Sequence, residues 1–417
     1  MKIGIIGTGI AGLSAAWLLN RTGHRVTLYE KDHTLGMDSH SISFEQDGIE
    51  LRTDVPPRIF NVTQWPNLLD LYREAGVALV PIDPSQSFSV AGEPNFLNVD
   101  VAYQPQLPEG QEITEKLNHI MGDILRFAEG VPQDLADGLS HETTLAEYLT
   151  SRAYSQVFIT DFLYPMLSST VCTCSYESLD AYPAPVILQT LLNLLGDQPL
   201  LRTKFGTRDV ITRLSRGIDD IRYGTEVCAV TPTPAGVRVE TTEGRVEEFD
   251  HLIVATQANQ ALGILSAPSE SERKMLSAFS YEDVPVIVHQ DTALMPVNET
   301  GWAHINLIIA RDRRAAMCGV LMNRFNPDWQ IEKPVIQTIN PLFEPQPEKV
   351  IARYNLQRPV VNADALAGLA LLGQLHQEAD RRIWFCGSYA AEGVPLLESA
   401  VVSSLRVAKR LQQGLFG

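Results

Sequence analysis

The sequence is poor in basic residues and in long apolar runs, and each shortage excludes a class of protein. There are 33 Lys and Arg residues against 50 Asp and Glu residues, which gives a net charge of −17. Such a balance disfavours nucleic acids and anionic membranes as partners, because both repel an acidic surface. The longest apolar stretches, 187–195 and 365–372, are too short to span a bilayer. We therefore expect no nucleic-acid partner and no integral membrane segment.

Cysteine is also scarce: the sequence has Cys172, Cys174, Cys228, Cys318 and Cys386. The spacing of the first two matches neither a zinc knuckle nor a C-x-x-C redox pair. We expect all five to be small buried side chains in a reducing compartment. Because a predicted strand begins at residue 2, we expect no targeting peptide and a cytoplasmic location.

What the sequence does contain is a clear β-α-β unit within residues 2–30. "KIGIIG" is typical of a strand buried on both faces, and "IAGLSAAWLLNRTG" has helical spacing and stops at Gly23. "HRVTLYE" is a second predicted strand. A helix between two such strands predicts a parallel crossover, so the fold class is α/β with a Rossmann-type domain.

Further along the chain, helical and strand patterns alternate in blocks. Residues 112–201 are mostly helical in pattern, 222–256 and 284–322 favour sheet, and 381–385 is a last short strand before a helix. At 417 residues the chain exceeds one ordinary core. We predict a nucleotide-binding domain formed by residues 1–85, 206–265 and 376–417. A mixed sheet-and-helix substrate domain formed by 86–205 and 266–375 would be interleaved with it.

The glycines of the first turn indicate a dinucleotide site. Gly7-x-Gly9-x-x-Gly12 follows one strand and opens a helix, where a tight turn, a close approach of pyrophosphate and close packing are needed in that order. Glu30 ends the second strand and can accept hydrogen bonds from ribose hydroxyls, but it would repel the 2′-phosphate of NADP. The chain has one such fingerprint, which favours a single tightly held dinucleotide.

The ordered motifs resemble those of the flavin-containing amine oxidase and phytoene-desaturase superfamily. The fingerprint, "YEKDHTLG", "GTEVCAVTPTPAGVRVET", "HLIVAT" and "FCGSYAAEG…ESA" occur in the order seen there. "DVPPRIFNVTQWPNL", "YPMLSSTVCTCS" and "RTKFGTRDVITRL" are similar to blocks of its bacterial "predicted NAD/FAD-binding" branch. The similarity covers nearly the whole chain. It implies an amine-oxidase-like fold, FAD as the cofactor and an FAD-dependent oxidoreductase.

The resemblance also implies which residues bind FAD. Val227 would meet the adenine, Ala255 and Thr256 would lie by the pyrophosphate, and the last helix would aim its first N–H groups at the N1–C2=O edge of the flavin, where they would favour reduction. The full implied set is Gly7, Gly9, Ile10, Ala11, Gly12, Glu30, Lys31, Gly36, Met37, Pro57, Arg58, Val227, Ala255, Thr256, Gly387, Ser388, Leu396, Leu397 and Glu398.

Three positions depart from the pattern of the superfamily. Where Gly-Gly is usual after the acidic strand, this chain has Gly36-Met37-Asp38. Met37 would narrow the approach of the phosphate–ribityl region, and Asp38 would repel it unless its side chain points away. Ser388 stands where many members have an acid that bonds a ribityl hydroxyl.

Two further differences concern the chemistry. Typical amine oxidases of the superfamily place a lysine near flavin N5 and an aromatic ring two positions before the triplet that is here 398–400. This chain has no lysine between Lys274 and Lys333, and Leu396 occupies the aromatic position. We therefore expect a small-molecule, apolar, lipid-like or polyene substrate that is desaturated, oxidised or isomerised by hydride removal at flavin N5. The alternatives are an amine or amino-acid oxidase with an altered aromatic cage, and a flavin-binding protein without turnover.

Arg58 and His40 are the candidate catalytic side chains. The segment of Arg58 passes the flavin in the superfamily, so its guanidinium can bind a substrate carboxylate or balance reduced flavin. The alternative for Arg58 is a salt bridge to Asp54 or to a surface acid. His40 can act as a general base, or it can simply hydrogen-bond a loop.

Overall fold

The computed structural model describes residues 1–82, 84–99, 105–106, 114–194 and 198–413. The first two residues of the predicted helical region, Glu112 and Ile113, and its residues 195–197 lie outside the described ranges. So do residue 83, 100–104 and 107–111, which belong to the two predicted domains, and 414–417 at the end of the last predicted segment.

Twenty strands occur in the described ranges. They are β1 (Lys2–Ile6), β2 (Arg25–Tyr29), β3 (Ile42–Gln46), β4 (Ile49–Thr53), β5 (Leu79–Ile82), β6 (Gln86–Val90), β7 (Asn95–Val99), β8 (Pro105–Gln106), β9 (Leu200–Thr203), β10 (Asp220–Arg222), β11 (Val227–Pro232), β12 (Val237–Thr241), β13 (Val246–Phe249), β14 (His251–Val254), β15 (Tyr281–His289), β16 (Ile305–Ile309), β17 (Ala316–Leu321), β18 (Ile336–Ile339), β19 (Val350–Pro359) and β20 (Ile383–Phe385).

The α-helices of the same ranges are α1 (Ile10–Arg21), α2 (Pro66–Ala75), α3 (Glu115–Ala136), α4 (Leu145–Ser151), α5 (Gln156–Phe158), α6 (Tyr164–Met166), α7 (Tyr176–Asp180), α8 (Ala184–Leu194), α9 (Gly206–Leu214), α10 (Ala258–Ile264), α11 (Glu270–Ser277), α12 (Met322–Phe325), α13 (Ala363–Leu375) and α14 (Leu397–Gln413). A wider π-type turn at Ile159–Leu163 joins α5 to α6, and a second one at Leu167–Val171 continues the helical run after α6. None of the described helices is both long and apolar enough to cross a membrane.

A five-stranded sheet in the order β10-β2-β1-β14-β20 contains the predicted β-α-β unit. All four neighbouring pairs are parallel, and Ile3 pairs with Val26 on one side and His251 on the other. The helix between β1 and β2 ends shortly before Gly23, whose φ of +83° suits a residue without a side chain. The predicted parallel crossover and the α/β fold class are confirmed.

An eight-stranded sheet in the order β19-β15-β18-β17-β16-β6-β7-β8 forms the second large layer. The helical run from α3 to α8 covers it, and one apolar cluster joins Phe88 of β6, Leu307 of β16 and Ile187 of α8. The three antiparallel strands β11–β13 form the meander predicted over 222–256, with turns near 233–236 and 242–244. The exact division into two interleaved domains stays a prediction.

The cysteine prediction is correct at four positions and wrong at one. Cys172, Cys174, Cys318 and Cys386 are buried, whereas Cys228 is exposed. Cys228 lies at an irregularity of β11, where the pairing with β12 passes from Val227 to Ala229, and its side chain faces solvent between the buried Val227 and Val230.

Candidate cofactor and substrate site

The parallel sheet brings four of the predicted cofactor residues to one edge. Gly7, Glu30 and Ala255 directly follow β1, β2 and β14, and Gly387 comes shortly after β20. A Cβ atom added to Gly7 would lie 3.0 Å from the carbonyl oxygen of Ala255, and one on Gly387 would lie 3.5 Å from the carbonyl oxygen of Thr256. In sheets of this kind, ligands bind at the carboxyl ends of the strands.

The three fingerprint glycines have different surroundings. Gly7 has a φ of +94°, and a Cβ atom on Gly12 would lie 2.0 Å from the carbonyl oxygen of Gly7. A Cβ atom on Gly9 would meet nothing within 4 Å. Gly9 is the N-cap residue of α1 and offers no capping side chain, and the first turn, which begins with Ile10 and Ala11, contains no acid. This helix end therefore fits the pyrophosphate of a dinucleotide, since its unpaired N–H groups attract anions.

Glu30 is buried and held by a residue that the sequence reasoning missed. Its Oε2 atom accepts hydrogen bonds from the backbone N–H of Thr8 at 3.2 Å and from the Thr8 hydroxyl. The same hydroxyl accepts from the Gly36 N–H at 2.7 Å, and Oε1 of Glu30 accepts from the Asp32 N–H at 3.0 Å. Thr8 therefore fixes the carboxylate and the segment beginning at Gly36 together. The position of Thr8 inside the glycine fingerprint was the sequence feature that could have pointed to this role. The neighbouring Lys31 is exposed.

Asp38, predicted to repel the cofactor unless its side chain points away, has its carboxylate paired within the protein. Asp38 is buried, and its Oδ2 atom lies 2.6 Å from Nη2 of Arg52 and 3.8 Å from Nε of Arg208. Met37 is also buried, with its N–H 3.3 Å from the carbonyl oxygen of Thr8. The chain departs from Gly-Gly here and neutralises the acid with a nearby arginine.

Val227 lies at the side of the sheet where β2 ends. The Thr225 N–H donates to the carbonyl oxygen of Glu30 at 2.8 Å, and the buried Val227 begins β11 two residues later. The segment predicted to meet the adenine is thus attached to the acid predicted to bind the ribose.

At the other side of the site, Gly387 and Ser388 lead into a buried tyrosine. Gly387 exchanges hydrogen bonds with the Ser403 hydroxyl of α14, at 3.0 Å to its N–H and 3.1 Å to its carbonyl oxygen. Tyr389 is 3% exposed, and its hydroxyl has no hydrogen-bond partner in the described part of the chain. A buried hydroxyl without a partner is rare in proteins, and the ring that carries this one packs against Phe279, with the centroids 4.8 Å apart.

The turn before α14 is apolar and firmly held. The Leu396 N–H and the Ser399 hydroxyl both donate to the carbonyl oxygen of Val394, at 2.7 and 2.8 Å. Leu396 packs against the two largest apolar clusters, and Leu397 begins the helix and packs against one of them. The carboxylate of Glu398 turns away from this turn and accepts three hydrogen bonds from Asn67 and Leu68 at the start of α2.

Arg58 follows Pro57 and makes two hydrogen bonds to neutral groups. Nη1 donates to the Thr207 hydroxyl at 2.5 Å, and Nη2 lies 3.5 Å from the carbonyl oxygen of Met37. The carboxylate of Asp54 instead accepts from the Thr207 N–H at 2.9 Å. The alternative of a salt bridge between Arg58 and Asp54 is wrong, and Arg58 forms no ion pair with any residue that the structure describes.

His40 is exposed and packs edge-on against Tyr354, with the two ring centroids 5.6 Å apart. Partial desolvation lowers the pKa of His40, the charge of Arg58 lowers it further, and Asp32 acts in the opposite direction. The imidazole is therefore neutral near pH 7 and can accept a proton. Nδ1 lies 3.4 Å from the Ser39 hydroxyl. Within the described ranges, no cluster of three or more His, Cys, Asp or Glu side chains has the geometry to hold a metal.

Comparisons with known proteins agree with this geometry. A family model described as flavin-containing amine oxidoreductase matches residues 10–289. No curated protein sequence matches the chain significantly. Among solved structures, a putrescine oxidase bound to putrescine has a TM-score of 0.66 at 15% identity, and the match covers 99% of each chain.

Two further structures share the fold. A fatty acid isomerase from P. acnes has a TM-score of 0.68 at 15% identity over 98% of each chain. An oxidoreductase from Methanosarcina mazei has a TM-score of 0.69 at 13% identity, over 98% of this chain and all of that one. At such identities the likeness concerns the fold alone.

Proposed function

Since the chain belongs to the flavin-containing amine oxidoreductase family and is an FAD-dependent oxidoreductase, we propose that it removes hydride from an apolar, lipid-like or polyene substrate. The product would be a desaturated, oxidised or isomerised form of that substrate. The observation that supports this proposal is the apolar turn around Leu396, where an aromatic wall would be expected for an amine substrate.

The surroundings of Leu396 extend the apolar surface. Val394 is buried beside it, and Tyr354 and Leu356 belong to the same apolar cluster. Tyr354, Leu356 and Arg358 alternate with exposed residues along β19, so they share its inner face. A substrate held there is fixed chiefly by apolar contact, which suits a reaction that depends on positioning.

FAD, when bound, supplies the hydride acceptor that no amino-acid side chain can replace. The chain would hold it with the carboxyl edge of the parallel sheet and the start of α1. Arg58 would balance negative charge or orient the substrate, and neutral His40 would accept a proton where the reaction releases one. The apolar inner face would exclude water from the reacting bond.

The fold of the neighbours supports both leading candidates. A fatty acid isomerase on this scaffold indicates that the fold accommodates an apolar chain. A putrescine oxidase on the same scaffold keeps amine oxidation as the alternative. The missing aromatic at Leu396 and the absence of lysine between Lys274 and Lys333 favour the first.

Anaerobic mixing tests the proposal directly. The holoenzyme is combined with fatty acids, polyenes, amines and amino acids, and the visible absorbance of oxidised flavin is followed. We expect bleaching by an apolar compound and none by amines, together with slower bleaching in Arg58→Ala. A redox-neutral isomerisation leaves the flavin oxidised, so its product is identified by mass spectrometry instead. Bleaching by amines alone would replace the proposal with the amine oxidase, and unchanged turnover in Arg58→Ala would remove that residue from the reaction.

A further inference from the structure

An arginine from the eight-stranded sheet holds the backbone carbonyl just before α14. Arg358 lies on the inner face of β19, and its Nη1 atom donates to the carbonyl oxygen of Pro395 at 2.9 Å. In an α-helix each N–H donates to the carbonyl four residues earlier, so the Ser399 N–H would use this carbonyl if α14 began one residue sooner. Arg358 therefore occupies the acceptor that could have paired with Ser399.

The first N–H groups of α14 are not used by the described part of the chain. None of its residues accepts a hydrogen bond from the N–H of Leu397, Glu398 or Ser399, whereas the Ala400 N–H already donates to the carbonyl oxygen of Leu396 at 3.3 Å. The only acid of the first turn, Glu398, has its carboxylate at the start of α2. Unpaired N–H groups at a helix start stabilise a nearby negative charge, such as the one that the N1–C2=O edge of flavin gains on reduction.

Thr173 fixes the other end of the Arg358 guanidinium. The Thr173 hydroxyl accepts from Nε of Arg358 at 2.7 Å and donates to the carbonyl oxygen of Cys172 at 2.8 Å. Thr173 is buried, and its φ is +51°. A β-branched residue rarely adopts this left-handed conformation, which persists only where the surroundings impose it. The hydroxyl that meets the arginine is thus presented by an unusual and firmly held backbone conformation.

The acid next to Arg358 anchors the same segment from the neighbouring strand. Glu282 is paired with Arg358 across β15 and β19. Its carboxylate accepts from the Ser175 N–H at 2.7 Å and from the Ser175 hydroxyl at 2.9 Å. Two adjacent strands therefore hold the segment that contains Thr173 and Ser175, one through an acid and one through an arginine. Because Arg358 also reaches Pro395, the helical layer, the sheet and the turn before α14 meet at one side chain.

We propose that Arg358, oriented by Thr173, is a positioning residue that keeps the start of α14 open toward the cofactor. By holding the Pro395 carbonyl, Arg358 prevents the helix from closing over its own first N–H groups. These groups stay available to the flavin edge that becomes negative on reduction. Arg358 acts through the turn and not by contact with the flavin. This role is independent of the proposed substrate, because every substrate that reduces the flavin places the same negative charge there.

The midpoint potential of the bound flavin, measured by dye-coupled reduction of the holoprotein, tests this role without a substrate. Thr173→Val removes the hydroxyl and changes no charge, and Thr173→Ser keeps the hydroxyl. Arg358→Lys keeps the charge but loses the planar fork that holds two acceptors at once. Thr170→Val is the matched control, since the Thr170 hydroxyl lies in the same helical run and donates to the carbonyl oxygen of Met166 at 2.6 Å.

We expect Thr173→Val and Arg358→Lys to bind reduced flavin, relative to oxidised flavin, roughly threefold to tenfold less favourably than the wild type, which lowers the potential by about 15–30 mV. Thr173→Ser should recover most of the wild-type potential, and Thr170→Val should match it. A wild-type potential in Thr173→Val, or an equal loss in Thr170→Val, would overturn the proposal. If Thr173→Val does not retain flavin, Arg358→Lys decides, and a wild-type potential in that variant would overturn the proposal.

Further outcomes separate the positioning role from a direct effect of charge and from the proposed substrate. A lower potential in Arg358→Gln with a wild-type potential in Thr173→Val would mean that the charge itself acts on the flavin, and the positioning role would be wrong. A lower potential in Thr173→Val, together with no turnover of apolar compounds by the wild type, would support the positioning role and refute the proposed substrate. Turnover of apolar compounds with an unchanged potential in Thr173→Val would do the reverse.

Discussion

Each fingerprint glycine contributes something different to the site. Gly12 is required for folding, because its missing side chain leaves room for the carbonyl of Gly7. Gly9 is not required for folding, since a Cβ atom there meets open space and its φ of −62° is allowed for any residue. The same sequence motif thus combines one structural glycine with one that matters only when a ligand is present.

Two alanine variants separate these roles. We expect Gly9→Ala to leave the stability of the apoprotein within about 1 kcal/mol of the wild type, and to weaken FAD binding roughly tenfold by blocking the pyrophosphate. Gly12→Ala should lose about 1–3 kcal/mol of stability, because the added methyl overlaps the Gly7 carbonyl. Denaturant unfolding of the apoprotein and titration with FAD measure both. Tight FAD binding by Gly9→Ala would show that pyrophosphate does not approach this turn.

Single residues are also where the sequence was least informative. The pattern correctly placed Gly7 after β1, Gly9 before α1 and Glu30 after β2, because strand, turn and helix follow one another locally. That these residues bind a dinucleotide stays a prediction. The pattern did not reveal Thr8, whose hydroxyl links Glu30 to Gly36, nor Arg358, which meets Pro395 only after the chain has crossed both sheets. Contacts between distant segments leave no periodic signal.

At the scale of elements, the last helix stabilises the start of another helix. Trp65 precedes α2 without a capping side chain, and the carboxylate of Glu398 in α14 takes that place. It accepts from the Asn67 N–H at 3.1 Å, from the Asn67 side-chain amide at 2.6 Å and from the Leu68 N–H at 2.9 Å. Helices 330 residues apart in sequence are thereby held beside the site.

Removal of the Glu398 carboxylate should destabilise the protein more than removal of an exposed carboxylate usually does. We expect Glu398→Ala to lower the free energy of unfolding by about 1–2 kcal/mol, as loss of an N-cap does. Glu392→Ala, which removes only the exposed ion pair with Arg406, should cost about 0–1 kcal/mol. Chemical denaturation of the two variants makes the comparison. Equal losses would mean that α2 does not depend on Glu398.

A second link between elements has a pH dependence. Glu247 of β13 pairs with Lys2 of β1 at 2.8 Å and with Arg222 of β10. Burial opposes ionisation of Glu247, but hydrogen bonds from Arg222 and Lys2 outweigh it and lower its pKa to about 2. Because the folded-state pKa is depressed, the stabilisation is complete above the ordinary value of 4.5 and is lost as the pH falls from there toward 2.

Glu247→Gln should therefore be less stable than the wild type at about pH 7, and the difference should shrink at about pH 3. Thermal unfolding at several pH values measures it, with Glu248→Gln as the control because that neighbouring side chain is exposed. A difference that stays constant across this range would show that the pKa of Glu247 is not depressed.

The elements themselves were the most predictable part of the fold. Buried strands, helical spacing and glycine stops predicted β1, α1 and β2 closely, and the turns near 233–236 and 242–244 predicted the meander. The order of the eight-stranded sheet could not be predicted, because β6 pairs with β16 across more than two hundred residues. Contacts between segments so far apart in sequence leave no local signal, and for that reason the domain boundaries also remain a prediction.

For the whole molecule, the charge at Glu30 should decide which dinucleotide stabilises the fold. A ligand of the native state raises stability, by about 2.7 kcal/mol at one hundred times its dissociation constant. We expect FAD to raise the melting temperature of the apoprotein by a few degrees, and NADP⁺ to leave it unchanged because its 2′-phosphate would meet the Glu30 carboxylate. An increase with NADP⁺ equal to that with FAD would contradict this placement of Glu30.

The packing of α1 against α14 also bears on how the protein is made. The Ser14 and Ser404 hydroxyls lie 2.6 Å apart, and β14 and β20 complete the sheet that begins with β1. During synthesis the first β-α-β unit leaves the ribosome hundreds of residues before these partners exist. The nascent chain must therefore keep an apolar strand and helix unsatisfied until its last elements emerge, a period in which a chaperone can bind them.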